Sequence, residues 1–174
     1  MSPDSDCDRA ESDRNDRLSE VKITRTENLS EAQKQSIIRL WNAEYPVQIQ
    51  HSGIDSFDEY LRPKANLRHY LLIDPDEIIR GWLATFIRDD ERWFALLVDG
   101  SQQKKGFGTM LLNKVKEFEN EINGWVIDRE NDVKANGELY LSPIGFYLKN
   151  DFEILSDVRI ENETISAVKI RWSR

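Results

Sequence analysis

WFALLVDGSQQKKGFGTMLLNKVKEFENEI, residues Trp93 to Ile122, is the stretch from which the fold can be read. Trp93 to Val98 is an unbroken apolar run, the pattern of a strand buried on both faces. Asp99-Gly100 is a turn dipeptide that stops it. From Gly106 the period changes. Phe107, Met110, Leu111, Val115, Phe118 and Ile122 recur at helical spacing, with Asn113, Lys114, Lys116 and Glu117 largely opposite, so an amphipathic helix is expected there. A helix that begins at a glycine loop presents unpaired N–H groups and the positive end of its dipole, and both favour an anion. Phosphate suits such a site best. Gly106 and Gly108 carry no Cβ to hold a pyrophosphate away from the backbone.

The loop reads Gln103-Lys104-Lys105-Gly106-Phe107-Gly108, with four residues between Val98 and Gln103. It resembles the Q/R-x-x-G-x-G/A acyl-CoA signature of the GNAT superfamily of acetyl-CoA-dependent N-acetyltransferases. Two other nucleotide motifs do not fit. A Walker loop ends in Gly-Lys-Ser/Thr, whereas Thr109 and Met110 follow Gly108. A dinucleotide fingerprint needs a third glycine where Leu111 stands.

A second stretch carries the same resemblance. Leu139 to Ile154 reads LYLSPIGFYLKNDFEI, and Phe146-Tyr147-x-Lys149-x-x-Phe152 is similar to the F-Y-x-K-x-G-F segment of that superfamily. Ser142-Pro143 is a helix start with Ser as N-cap, and Asn150 suits the left-handed residue that ends the helix. The departures are specific. Asp151 stands where glycine is usual, and Pro143 where a small alanine is usual. Tyr140 occupies the position seven before the tyrosine, often an asparagine that contacts CoA; Asn136 is the nearest asparagine and is out of register.

The remaining chain fits around these two stretches. Val21 to Thr26 alternates as a first strand. Ser30 with Gln33 three residues on forms a capping box for a helix carrying Ile37, Leu40, Trp41 and Tyr45, closed by Pro46. A short helix starts at Asp55 or Ser56 and ends before Pro63. Leu67 to Asp74 and Ile78 to Arg88 are strands joined by the Asp74–Glu77 turn, and Asp89-Asp90-Glu91 turns into the Trp93 strand. Trp125 to Asp128 is a short strand parallel to the Trp93 strand, closing a right-handed β-α-β unit. Final strands are expected near Phe152–Leu155 and from Val158 to Trp172. The resemblance spans Val21 to Trp172. It implies an α/β (α+β) GNAT fold, a mixed, mostly antiparallel twisted sheet of six to seven strands with helices on both faces. One such domain is expected over residues 20–174.

Composition bounds the rest. A chain of 174 residues with 39% apolar and 32% charged residues has a soluble globular balance and suffices for one core. The net charge of −8 argues against nucleic acid and suits amine substrates. Met1 to Ser19 holds six acids, three arginines and few apolar residues, and reads as a disordered acidic tail. Cys7 alone makes neither a disulfide framework nor a cysteine metal site, and no metal is expected. No apolar run reaches spanning length and no leader pattern is present, so membrane binding is not expected and a cytoplasmic protein is.

The resemblance implies an N-acetyltransferase moving an acetyl group from acetyl-CoA to a primary amine of a small molecule or peptide by direct attack. It assigns Tyr147 as general acid to the departing thiolate. It assigns Leu96, Leu97, Val98, Gln103, Lys104, Lys105, Gly106, Phe107, Gly108, Thr109 and Tyr147 to the CoA site, on the expectation that the Trp93 strand splays from its parallel neighbour. A homodimer is the family default. No base is identified: Glu91, Asp128 and Glu130 are the acids available. Trp41, Tyr45, Phe57 and Tyr60 are potential pocket walls, and His51 and His69 read as packing residues. A CoA-binding module without catalysis, or a protein-interaction domain, is the alternative the missing base allows.

Overall fold

The computed structural model describes residues 20–102 and 105–174. The expected acidic tail, residues 1–19, and the loop residues Gln103 and Lys104 lie outside them. Seven strands form one sheet: β1 (Lys22–Thr26), β2 (Ala65–Ile73), β3 (Ile79–Arg88), β4 (Glu91–Val98), β5 (Glu121–Ile127), β6 (Glu153–Glu161) and β7 (Ser166–Ser173). Their order is β1-β2-β3-β4-β5-β7-β6. Only the β4–β5 pair is parallel; the other neighbours are antiparallel.

Four helices cover the sheet: α1 (Glu31–Glu44), α2 (Ile54–Leu61), α3 (Phe107–Lys116) and α4 (Ile144–Lys149). The period of two along each strand sends alternate side chains into two cores. Tyr70, Leu72, Leu83 and Phe94 join Leu111, Leu112 and Val115 of α3. Leu71, Trp82, Ala84 and Leu97 join Ile37, Trp41 and Phe57 of α1 and α2.

Local chemistry explains several boundaries. Ser30 and Gln33 form the reciprocal capping box. The β2–β3 turn is held by the Asp74 carboxylate, which accepts from the N–H groups of Asp76 and Ile78. Asp89 and Asp90, at φ 50° and 61°, make the two-residue turn that pairs Arg88 with Glu91.

Five expectations change. Helix α3 ends at Lys116, and Ile122 belongs to β5, which starts at Glu121 rather than near Trp125. The helical stripe therefore closes on Leu112, while Met110 and Phe118 are exposed, Phe118 lying under Arg25. Helix α2 begins after Gly53, ahead of Asp55. Pro143 is the N-cap of α4 and no side-chain cap forms there. The last hairpin turns at residues 162–165, since β6 continues through an irregularity between Leu155 and Arg159. Asp151, not Asn150, takes the left-handed conformation after α4, at φ 67°. That region is one glycine enters freely and aspartate tolerates, and Asn150 instead donates its side-chain amide to the Phe146 carbonyl.

Candidate active site

The parallel pair at the centre of the sheet comes apart. β3 and β4 are registered at eight positions, from Gly81↔Val98 to Arg88↔Glu91, whereas β4 and β5 are registered only at Trp93↔Asn123. Beyond that pair no further β4–β5 partners are registered. Two residues hold the strands in this shape. Gly124 has no side chain, and the Phe94 ring lies where one would be: a Cβ there would sit 2.8 Å from the ring. Phe94 in turn packs on Tyr147 and Phe152, with centroids 5.8 and 5.5 Å away.

Three tyrosines gather at the opening. Tyr147, on α4, is buried among Phe94, Phe146 and Phe152. Burial pushes its phenol well above the ordinary tyrosine value, and Tyr45 and Tyr140 add to the effect. Tyr45, closing α1, donates its hydroxyl to the Leu96 carbonyl at 3.4 Å and stands 6.3 Å from Tyr140, centroid to centroid. Burial raises the Tyr45 phenol to about 12 and the Tyr140 phenol still further. Each is a neutral hydrogen-bond donor at physiological pH.

Helix α3 starts beside this opening. Gly106 is its N-cap in the left-handed conformation, φ 79°, with nothing within 4 Å of an added Cβ. The N–H groups of Phe107, Gly108 and Thr109 form the first turn and lack partners within the helix. At Gly108 an added Cβ would lie 2.8 Å from the Phe146 ring, so its missing side chain admits α4. Lys105 is exposed just before the helix. Leu97 points into the α1 core, while Leu96 and Val98 pack toward α3 and α4.

A cleft of about 570 Å³ opens between the end of α1, the β4–α3 loop and the β5–α4 loop, lined by Glu44, Gly100, Ser101, Lys134, Tyr140 and Leu141 among others. Glu44 ties its three walls together. One carboxylate oxygen accepts the Gly100 N–H at 2.8 Å, and the other pairs with Lys134 at 3.4 Å. An added Cβ at Gly100 would meet the first of these oxygens at 2.8 Å, so a larger residue there displaces the Glu44 carboxylate.

Residues 65–154 match the family model of the GNAT acetyltransferase domain, just over half of the chain. The chain belongs to the GNAT acetyltransferases. Solved structures share the fold. A GNAT acetyltransferase from Staphylococcus aureus Mu50 aligns at TM-score 0.61 and 15% identity, over 87% of this chain and 99% of that one. A Vibrio cholerae spermidine N-acetyltransferase in complex with CoA and spermine aligns at 0.60 and 15%, over 89% and 96%. The ribosomal-protein-S18-alanine N-acetyltransferase of Escherichia coli aligns at 0.58 and 13%, over 87% and 94%. No curated protein matches the chain.

The protein is thus an acyltransferase of the GNAT type. Of the residues expected to bind CoA, Leu96, Val98, Phe107 and Tyr147 pack in one cluster and Leu97 in the other; Gln103 and Lys104 lie outside the described residues. The acids considered as bases are differently placed. Glu91, at the far end of β4, is held by Lys169 and Arg171, whose hydrogen bonds and charges keep its carboxyl below the usual range. Asp128 is held low by a two-pronged bond from Arg159. Glu130 is exposed.

Both histidines pack. His69 accepts the Trp82 indole N–H on Nδ1 at 3.1 Å, and burial lowers it to about 4. His51 meets Ser56 through Nδ1 and is enclosed by Trp41, Phe57 and Tyr60. Trp41 and Phe57 are core, while Tyr45 and Tyr60 remain partly open. Glu44 and the approach of Tyr45 were missed, since contacts 51 and 56 residues apart leave no periodic trace. Among the described residues no group of three or more metal-ligating side chains is placed to hold an ion, and no helix is long and apolar enough to cross a membrane.

Proposed function

We propose that this GNAT protein transfers an acetyl group from acetyl-CoA to a primary amine by direct attack within the β4–β5 opening. The observation that carries the reading is the buried, protonated Tyr147 beside strands registered at a single pair. The first-turn N–H groups of α3 suit a pyrophosphate, and the space over Gly106 leaves it room. The β4 edge at Leu96 and Leu97, beyond the one registered β4–β5 pair, suits the amide groups of a pantetheine arm.

In the reaction the amine nitrogen forms a C–N bond to the thioester carbon, and the C–S bond then breaks. The thiolate takes the Tyr147 proton, and the proton lost by the attacking nitrogen passes through water and restores the phenol, since Glu91 and Asp128 are engaged in ion pairs. Acceptors arrive mostly protonated, with an alkylammonium pKa of about 10, so an earlier deprotonation has to precede attack. Proximity supplies much of the remaining rate.

Calorimetric titration with desulfo-CoA and acetyl-CoA, followed by thiol release with an amine panel, tests the reading. Salt-sensitive binding and amine-dependent release are expected. Binding without amine-dependent release would return the protein to a CoA-binding module, and no binding would remove the site.

A further inference from the structure

The face of the sheet that carries α1 and α2 holds a second polar feature, away from the opening. Lys64, just beyond α2, places its ammonium 3.5 Å from the Tyr60 ring centroid and 5.0 Å from that of Phe86. Arg88, at the end of β3, stands 5.2 Å from the same Phe86 ring and 5.5 Å from Trp93. Two cations thus share one aromatic surface. Among the described residues neither meets a carboxylate, and the one hydrogen bond between them is from Lys64 to the Tyr60 carbonyl.

That arrangement is costly in this chain. With a net charge of −8, acids are plentiful. Several other partly buried cations are neutralised: Arg80 by Asp74 and Asp99, Arg92 by Glu119, Lys169 and Arg171 by Glu91. Lys116, over Phe152 and Trp172, has only the Asn150 carbonyl among the described residues. Nor is Lys64 neutralised; burial first, and then repulsion from Arg88, bring its ammonium down to about 8. The Trp93 indole N–H, buried beside Arg88, also has no acceptor among the described residues. Lys169, 5.0 Å from the Trp93 ring centroid, already carries the Glu91 carboxylate; Lys64, Arg88 and the indole donor still lack a group that only accepts. A carboxylate is such a group.

The geometry relates this place to the acetyl-transfer opening. Trp93, Ala95 and Leu97 share one face of β4, and Ala95 and its partner Ala84 make a low floor between larger side chains. Trp93 precedes Leu96 by three residues, roughly 10 Å along a strand. Tyr60 and Tyr45, both against Trp41 at 5.0 and 4.7 Å, border the path between them.

We propose that Lys64, Arg88 and the Trp93 indole N–H recognise a carboxylate on the acceptor, roughly 10 Å from the nitrogen that is acetylated. The acceptor class is a short peptide or long amino acid rather than a polyamine, whose second cation this place repels. The inference rests on the acetyl-transfer reading for where the amine sits.

The test uses the full chain, labelled with 15N, and follows the assigned Trp93 indole N–H resonance. Triglycine is titrated against triglycinamide, which differs only in its terminal charge. Saturable displacement by triglycine is expected, with triglycinamide binding at least about tenfold more weakly. Arg88 is exposed, so Arg88→Met keeps the fold, and it brings triglycine down to the level of the amide; Lys64→Met does the same. In the acetylation assay the same preference appears in KM, with triglycine ahead of spermidine. Equal response to the two peptides, no response to triglycine up to about 20 mM, or an Arg88→Met variant that keeps the preference overturns the proposal. Desulfo-CoA binding in the same samples separates the two readings. Its loss removes acetyl transfer and leaves a carboxylate site that the indole resonance still measures.

Discussion

Replacing Gly124 with alanine adds one methyl at the point where β4 and β5 part. The new carbon would lie 2.8 and 2.9 Å from two atoms of the Phe94 ring. Carbon atoms prefer 3.5–4.0 Å, so something must move by roughly 0.7–1 Å. Phe94 has little freedom to do so, being only 6% exposed and wedged against Tyr147 and Phe152. Overpacking of this kind costs about 1–3 kcal/mol, and alanine in a strand returns about 0.5–1 kcal/mol over glycine. The expected net loss is about 1 kcal/mol, within a span of about 0–2.5, a fall in Tm of roughly 2–4 °C for a chain of this size. Because the ring pushes on Tyr147, acetyl transfer should fall more than stability does; a displacement near 1 Å costs up to about 10²-fold. Scanning calorimetry and thiol release measure the two effects. Gly145→Ala is the control, since nothing lies within 4 Å of its Cβ and α4 gains a better helix former. Phe94→Leu in the Gly124→Ala background should recover part of the loss. A Gly124→Ala protein as stable and active as wild type would refute the wedge.

Three further outcomes are expected. Tyr147→Phe should lower turnover by about 10²–10³-fold with desulfo-CoA affinity within a few-fold of wild type; unchanged turnover would take the phenol out of the mechanism. His69 has a folded pKa of about 4, below its ordinary 6.5, so the unfolded chain takes up the proton first. Its contribution is complete above about pH 6.5 and is lost as pH falls toward 4, to a limit of about 3 kcal/mol. Urea unfolding of His69→Gln should show a flatter acid limb, and an unaltered limb would contradict the assignment. Gly108→Ala and Phe146→Ala should couple by about 1 kcal/mol in a double-mutant cycle, because the alanine carbon and the ring compete for one space; additive losses would reject that packing.

Local pattern made the central unit legible: the apolar run at Trp93–Val98, the Gly106 loop and the amphipathic turns after it are read from spacing alone, and Phe146-Tyr147 repeats the message farther on. The same local pattern misjudged where α3 stops. Phe118 and Ile122 keep helical spacing, but Ile122 is claimed by β5, whose Asn123 pairs with Trp93. At the Asp151 position sequence suggested a defect, yet the backbone there is left-handed all the same.

Composition, helix faces, turn residues and both signature stretches belong to the sequence by itself, because each rests on neighbours within a few residues. Only the tertiary structure decided that Phe94 fills the space over Gly124, that Glu44 clasps Gly100, that Tyr45 reaches the Leu96 carbonyl, and that Lys64 and Arg88 stand together with no carboxylate among the described residues. Those residues lie tens of positions apart. What joins them is the sheet's strand order, a product of packing that no local period encodes.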